Sequence, residues 1–228
     1  MAESICQKEP ERTAAIPIDR DAEPAVERPA VVSRTGPKRS ESIRLAVLNA
    51  ADDLLVEQGF NGVTIEGIAV RAGVAKQTIY RWWKSKVDIL LDTLAGDAHD
   101  ALAWQIGSAP ADEELGQQLR RIVGFFEEPA GQVLQALIGH AQVDQATARA
   151  LREGFLRDQR ERDLRGLRII LERHTGCQAD ERTVDSLLNM LLGPLYYQAL
   201  VFGRPIASEH LDTTARLVLD MAARTARD

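Results

Sequence analysis

A chain of 228 residues with 45% hydrophobic and 27% charged side chains is long enough for one or two compact domains with a real core. It holds no run of 18 or more consecutive apolar residues, as a membrane span requires, and its charged, Pro-rich start argues against a secretory signal, so a cytoplasmic location is expected. Two cysteines, Cys6 and Cys177, suggest neither a disulfide framework nor a cysteine metal site. The net charge of −6 is uneven: residues 1–37 hold 5 bases and 7 acids, residues 38–86 hold 8 and 5, and residues 87–228 hold 15 and 22. Nucleic-acid binding is decided by such local patches rather than by the total, and 38–86 is the one net-positive segment.

Five of the nine prolines fall in residues 1–37 without periodic apolar residues, which predicts a disordered arm. Leu45, Leu48, Leu55 and Val56 keep helical spacing over 41–58, and Gly59 supplies a stop. Thr64 is a plausible N-cap for a short second helix holding Ile65, Ile68 and Ala69 and ending at Ala72-Gly73. A tight turn leads into a third helix over about 75–83, and a fourth begins near Ser85 and runs through Leu94. Leu115, Leu119, Ile122, Val123 and Phe126 mark one amphipathic helix, and Val133, Leu134, Leu137, Ile138 and Ala141 another, with breaks at Pro110 and Pro129.

A long helix over about 145–174 carries eight arginines with acids at helical spacing, Glu153 with Arg157, Asp158 with Arg162 and Glu161 with Arg165. That pattern predicts a solvated, internally paired face rather than a second nucleic-acid surface. Residues 180–202 are apolar on nearly every side, 208–224 repeat the theme, and Gly193-Pro194 should kink the first of the two. A helix apolar all round must be covered on all sides. A second subunit is a natural cover, making a four-helix interface, and the competing reading is that both helices fill the monomer core. The prediction is an all-α chain: an arm over 1–37, a three-helix helix-turn-helix domain over 38–86, and a helical-bundle regulatory and dimerisation domain over 87–228.

Short helix, glycine turn, short helix is the geometry in which the second helix enters the DNA major groove. Ile79 and Trp83, four apart, can face inward, while Lys76 with Tyr80 and Gln77 with Arg81 take other faces. Lys76 and Gln77 can address base edges; Thr78, Tyr80, Arg81 and Lys86 suit phosphates. Lys38 and Arg39 could add backbone or minor-groove contacts. Trp82 is rotated about 100 degrees from Trp83, which favours exposure at a DNA backbone or an interdomain surface.

The segment 41–91, with "EQGF" closing its first helix and then "VTIEGIAVRAGVAKQTIYRWWKSKVDIL", resembles the DNA-binding domain of the tetracycline-repressor (TetR) family. The resemblance implies a homodimeric regulator, commonly a repressor, that binds an operator palindrome and is released by a small molecule bound in the helical carboxy-terminal domain. Position by position it implies Thr64 as cap and phosphate contact, Lys76 and Gln77 as base readers, and Thr78 on phosphate. Tyr80 would touch backbone or base, Arg81 and Trp82 the backbone, and Lys86 phosphate, with Trp83 at a usually buried Phe position. Gly67 stands where the family often has an acid closing a capping box with the threonine, so the helix start should be weaker.

Beyond Leu94 the resemblance fades. Trp104, Phe126, His140, Phe155 and Tyr196 are candidates to line an effector pocket between bundle helices. No enzyme is expected, nor a metal or cofactor: none of His99, His140, His174 and His210 has a Glu three positions before it, and no Gly-x-Ser-x-Gly, P-loop or dinucleotide fingerprint occurs. A DNA-binding protein with no effector is the alternative within the same class.

Overall fold

The computed structural model describes residues 37–203 and 206–227, with side chains from residue 40 onward. The expected arm lies outside the described residues except for Pro37, which opens the first helix, and the side chains of Lys38 and Arg39 lie outside them as well. The described chain is all α: α1 Pro37–Gly62, α2 Ile65–Ala72, α3 Lys76–Tyr80, α4 Lys86–Ala101, α5 Ala111–Glu127, α6 Pro129–Ala141, α7 Gln145–Leu151, α8 Arg157–Thr175, α9 Glu181–Tyr197 and α10 Ser208–Thr225. Two π-helical turns, Arg152–Leu156 and Gln198–Phe202, extend α7 and α9.

Helix α1 starts earlier than its apolar spacing predicts, and its buried stripe is shifted. Val47, Leu48, Ala51, Leu54 and Leu55 are buried, whereas Leu45 and Val56 are about half exposed. The spacing 47, 51, 54 and 55 is the stripe that meets α2 and α4, and the small residues Ala50 and Ala51 permit close approach. Gly59 interrupts the helix where the spacing predicts a stop: its φ of 68° with ψ of 173° is non-helical, a positive φ that glycine adopts without strain.

Helix α4 packs on α1, α5 and α6. Its start is doubly capped: the Asp88 N–H donates to Ser85 Oγ at 3.2 Å, and the Ser85 N–H donates to Asp88 Oδ2 at 3.0 Å. Pro110 and Pro129 stand at the starts of α5 and α6, where a missing N–H costs nothing.

The predicted helix over 145–174 is two helices joined by the π turn at Arg152–Leu156, inside which Gly154 has the non-helical angles φ −103°, ψ −106°. This break removes the helical register that Glu153 and Arg157 need. Of the three expected arginine pairs only Glu161–Arg165 forms, at 3.9 Å. Arg157 turns to its neighbour Asp158, Arg162 bonds Gln159, and Arg160 reaches Asp185 and Asn189 on α9. Exposed pairs of this kind are worth well under 1 kcal/mol each, and the arginine run is correctly a solvated face though differently paired.

Helix α9 runs through Pro194 and loosens into its π turn four residues later. Helices α9 and α10 carry apolar residues on more than one face: Val184, Leu187, Leu188, Leu191 and Leu195 are buried with Leu211, Val218 and Leu219. Met190, Tyr197, Val201, Phe202, Leu217 and Met221 remain at the surface. No helix among the described residues is long and apolar enough to cross a membrane.

Candidate nucleic-acid interface

Helix α2 owes its start to Thr64, whose Oγ1 accepts the Gly67 N–H at 3.0 Å. The returning half of a capping box is absent because residue 67 has no side chain. A Cβ there would press on Thr64 Oγ1 at 3.2 Å and Leu54 Cδ1 at 3.5 Å. The helix ends on Gly73, in the left-handed region (φ 66°, ψ 33°), and the Val74 N–H closes back on the Ala69 carbonyl at 3.0 Å. Three residues, Gly73 to Ala75, lead into α3, which ends three residues sooner than the spacing predicts.

Two side chains anchor α3. Ile79 is wholly buried and Trp83 is 5% exposed, as their spacing of four requires. Trp83 is also bonded through Nε1 to Asp92 Oδ2 on α4 at 3.0 Å, and the other oxygen of that carboxylate accepts from Arg44 of α1 at 2.6 Å. One acid thus ties the first helix, the recognition segment and α4 together. Trp82 is half-buried, edge-on to Trp83 at 5.3 Å, with the Arg81 guanidinium 5.7 Å from its ring.

Lys76, Gln77, Tyr80 and Arg81 are exposed and Thr78 is half-buried. Lys76 donates to Glu66 of α2, the one partner from this chain that the structure gives it. Lys86 stands apart from this group. Its Nζ donates to the carbonyls of Phe60 (2.6 Å) and Val63 (3.0 Å) and lies 4.2 Å from the Phe60 ring, so it caps the end of α1. Partial burial lowers its pKa. Two of its three donors are committed inward, which makes it a brace for the head rather than an outward phosphate contact.

The effector-pocket candidates are divided by the fold. Trp104, Phe126 and Tyr196 gather around the interior of the body: Phe126 and Tyr196 meet edge-to-face at 5.2 Å, and Trp104 Nε1 donates to Asp163 Oδ1 at 2.9 Å. Asp163 is 4% exposed, also accepts from Gln159 at 2.9 Å, and is raised by burial against the opposing pull of these bonds. Burial pushes the Tyr196 hydroxyl up to about 12, with Asp163 adding to the effect. Phe155 is buried on the π turn, and His140 stacks on Phe60 at 4.4 Å, joining α6 to the end of α1 instead of facing a pocket. A cavity of about 170 Å³ opens among Val123, Phe126, Gln135, Leu195, Ala199 and Ile206, and Phe126 is the one candidate lining it.

Sequence reasoning missed Asp163, treating that helix's acids as solvated. The signal was present: Gln159, Asp163, Gly166, Leu167, Ile170 and Leu171 repeat at helical spacing, and all six are buried. Gly166 belongs to the same stripe, since a Cβ there would fall 2.2 Å from the Trp104 ring. Among the described residues no group of three or more His, Cys, Asp or Glu is placed to hold a metal ion.

With Ile79 and Trp83 taken into the core, α3 presents its polar residues outward across a glycine turn from its supporting helix. This arrangement is what a helix-turn-helix protein places in the DNA major groove. Residues 47–93 match the family described as bacterial regulatory proteins, tetR family, and residues 107–218 match the tetracyclin repressor-like C-terminal domain. The uncharacterized HTH-type transcriptional regulator YdeS of Bacillus subtilis is 31% identical over 182 residues, covering 78% of this chain and 89% of that protein. An HTH-type transcriptional repressor of Mycobacterium tuberculosis is 32% identical over 128 residues, 56% of each chain. The crystal structure of the TetR family transcription regulator SCO0332 superposes with a TM-score of 0.64 at 30% identity, over 78% of this chain and 97% of that one. The chain belongs to the TetR family: it is a DNA-binding transcriptional regulator and not an enzyme.

Proposed function

We propose that the protein is a homodimeric repressor that binds a palindromic operator in the cytoplasm through α3 and is released by a small molecule held in its carboxy-terminal domain. The observation that carries this reading is the division of α3 into a buried pair, Ile79 and Trp83, and an outward set, Lys76, Gln77, Tyr80 and Arg81. Lys76 and Gln77 read base edges, for which lysine suits guanine and glutamine adenine. Thr64, Thr78, Tyr80, Arg81 and Trp82 position the head on the backbone, and Lys38 and Arg39 extend it from the start of α1. The domains on this reading are an arm over 1–37, a DNA-binding head over 38–86 and a regulatory body over 87–228. That the mycobacterial relative is described as a repressor supports the sign of the regulation.

The dimer rests on the apolar surface left by α9, its π turn and α10. Val201 is 63% exposed, Leu217 58% and Tyr197 55%, and Tyr197 and Phe202 meet edge-to-face at 5.1 Å to make a preformed aromatic patch. Contiguous apolar surface of this kind marks an interaction site, and an isologous dimer spaces two heads for a palindrome. The effector enters the cavity beside Phe126 and Tyr196, whose apolar walls and few polar groups suit a small organic molecule.

The test is a duplex recovered from a random library by selection with the full-length protein. Lys76→Ala and Tyr80→Ala each weaken binding about tenfold while the melting temperature stays put. Leu217→Glu converts the dimer to a monomer by light scattering and loses operator binding. Unchanged affinity in both head variants would reject the placement of α3 in the groove, and a monomeric wild-type protein at micromolar concentration would reject the dimer.

A further inference from the structure

Glu66 is the one acid between Thr64 and Lys86. It sits in the first turn of α2, two residues past Thr64, and its carboxylate accepts from the ammonium of Lys76, the first residue of α3. Both side chains are about half exposed, so the pair lies on the outer surface of the motif. The carboxyl is held below the usual glutamate range by Lys76 first and by its own backbone N–H, so it is ionised wherever the protein works. The other acids of residues 38–86 are disposed elsewhere: Glu41 with Arg44, Asp53 and Glu57 with Arg71, and Asp52 in the cleft between α1 and α4.

An exposed ion pair contributes little to folding, and its consequence falls on binding. Affinity for DNA of any sequence comes from lysines and arginines on phosphates. A lysine already matched by a carboxylate adds no net charge to that term, and lifting it onto a phosphate uncovers an anion facing the duplex. A base edge is different. Guanine O6 and N7 offer Lys76 two acceptors at short range, which repays the exchange at that sequence alone.

We propose that Glu66 is a specificity-determining residue: it occupies Lys76 in the free protein and penalises every duplex that does not supply that lysine with a base acceptor. Specificity then comes from an element that repels the wrong partner as well as from contacts to the right one. The inference rests on the reading of α3 as the base-reading helix and makes the pair, rather than Lys76 alone, the discriminating unit.

The experiment measures fluorescence anisotropy of the full-length protein on the selected operator duplex and on a scrambled duplex of equal length and composition, from 50 to 200 mM salt. Glu66→Gln tightens binding to the scrambled duplex about threefold at low salt, an effect of the size that exposed charge pairs have. Operator affinity changes by much less, so the ratio between the two falls. The salt dependence on scrambled DNA steepens by about one released counterion. Glu66→Ala moves in the same direction, and equal melting temperatures confirm that folding is intact. An unchanged or increased ratio in both variants would overturn the proposal. Lys76→Ala separates the two levels: if it leaves operator affinity unchanged, the reading of α3 fails, whereas if it weakens binding and Glu66→Gln does nothing, only the role of Glu66 fails.

Discussion

In helices α1 to α3 the fully buried side chains are apolar throughout, Val47, Leu54, Ile68 and Ile79 among them, and of the polar groups Asp52 is drawn partly inward. The body does the reverse in places: Glu114, Gln118, Thr147, Gln159 and Asp163 are each 4% exposed or less. Most of these buried groups converge on one stretch of chain, residues 102–110, which joins α4 to α5. Gln118 donates to the Leu102 carbonyl at 3.2 Å, Asp163 holds Trp104, and Glu114 accepts the Gly107 and Ala109 N–H groups at 3.0 and 3.1 Å. Arg173 closes the set, donating to Glu114 at 2.6 Å and to the Gly107 carbonyl at 2.7 Å. The first three helices keep an apolar core, whereas directional bonds fix the exit of α4, the helix whose other end is capped by Ser85 and Asp88 just after α3. The 102–110 stretch is therefore tied to α5 and α8 by side-chain hydrogen bonds.

The comparison breaks first at Glu114. Replacing it with Ala leaves two backbone N–H groups and the Arg173 guanidinium without their acceptor; the arginine is about a third exposed and can recover water, so the cost falls below that of a fully buried pair, to about 2–3 kcal/mol. Thermal denaturation of Glu114→Ala should show that loss. Arg173 holds the Glu114 carboxyl below the usual range. A depressed folded value stabilises above the unfolded pKa, so this contribution is present above about pH 4.3 and is lost as pH falls through the folded value. A melting temperature within a degree of wild type would show that the 102–110 stretch is not held as its hydrogen bonds indicate.

A smaller effect, opposite in sign, is expected where head meets body. Asp52 of α1 lines a cleft with Asp97 and Asp100 of α4 and Glu128 at the start of α6, and its Oδ1 is buried without a partner. Burial first, then Asp97 and Asp53, pushes its carboxyl up to about 7, and burial raises Asp97 as well. For a raised acid the folded state binds the extra proton, so stability falls as pH rises from about 4 to about 7 and the full penalty applies above that. Asp52→Asn should remove this slope and stabilise the protein at pH 7.5 by about 1–2 kcal/mol, a figure reduced for partial solvation. A variant whose pH profile matches wild type would remove Asp52 as the cause.

Thr64 gives the smallest effect and sharpens the contrast from the head's side. Thr64→Ala loses a single cap bond with no return leg, so the expected cost is about 1 kcal/mol in the absence of DNA. A loss as large as that of Glu114→Ala would mean that the head, too, depends on polar pins.

The head was legible because its signals are local. Thr64, Gly73, Ser85 and the spacing of Ile79 and Trp83 act within a few residues of themselves, and each stands where the pattern predicts. Even there two assignments needed the fold: Lys86 turns inward to carbonyls about 25 positions away, and Lys76 meets an acid ten positions before it. In the body the helices were legible from apolar spacing, but their long-range partners were not. Glu114 and Arg173 are 59 residues apart, as are Trp104 and Asp163, and His140 joins Phe60 across 80 positions.

By itself the sequence determined an all-helical chain, the position of the glycine turn, and which residues of α3 face in and out, because caps, turns and helical periodicity are properties of neighbouring residues. Only the tertiary structure decided that the fourth-helix exit is pinned by buried polar groups and that Lys76 is held by Glu66. It also decided which apolar residues of the last two helices stay at the surface. Burial and pairing depend on what other elements bring to a side chain, and no spacing within one helix carries that information.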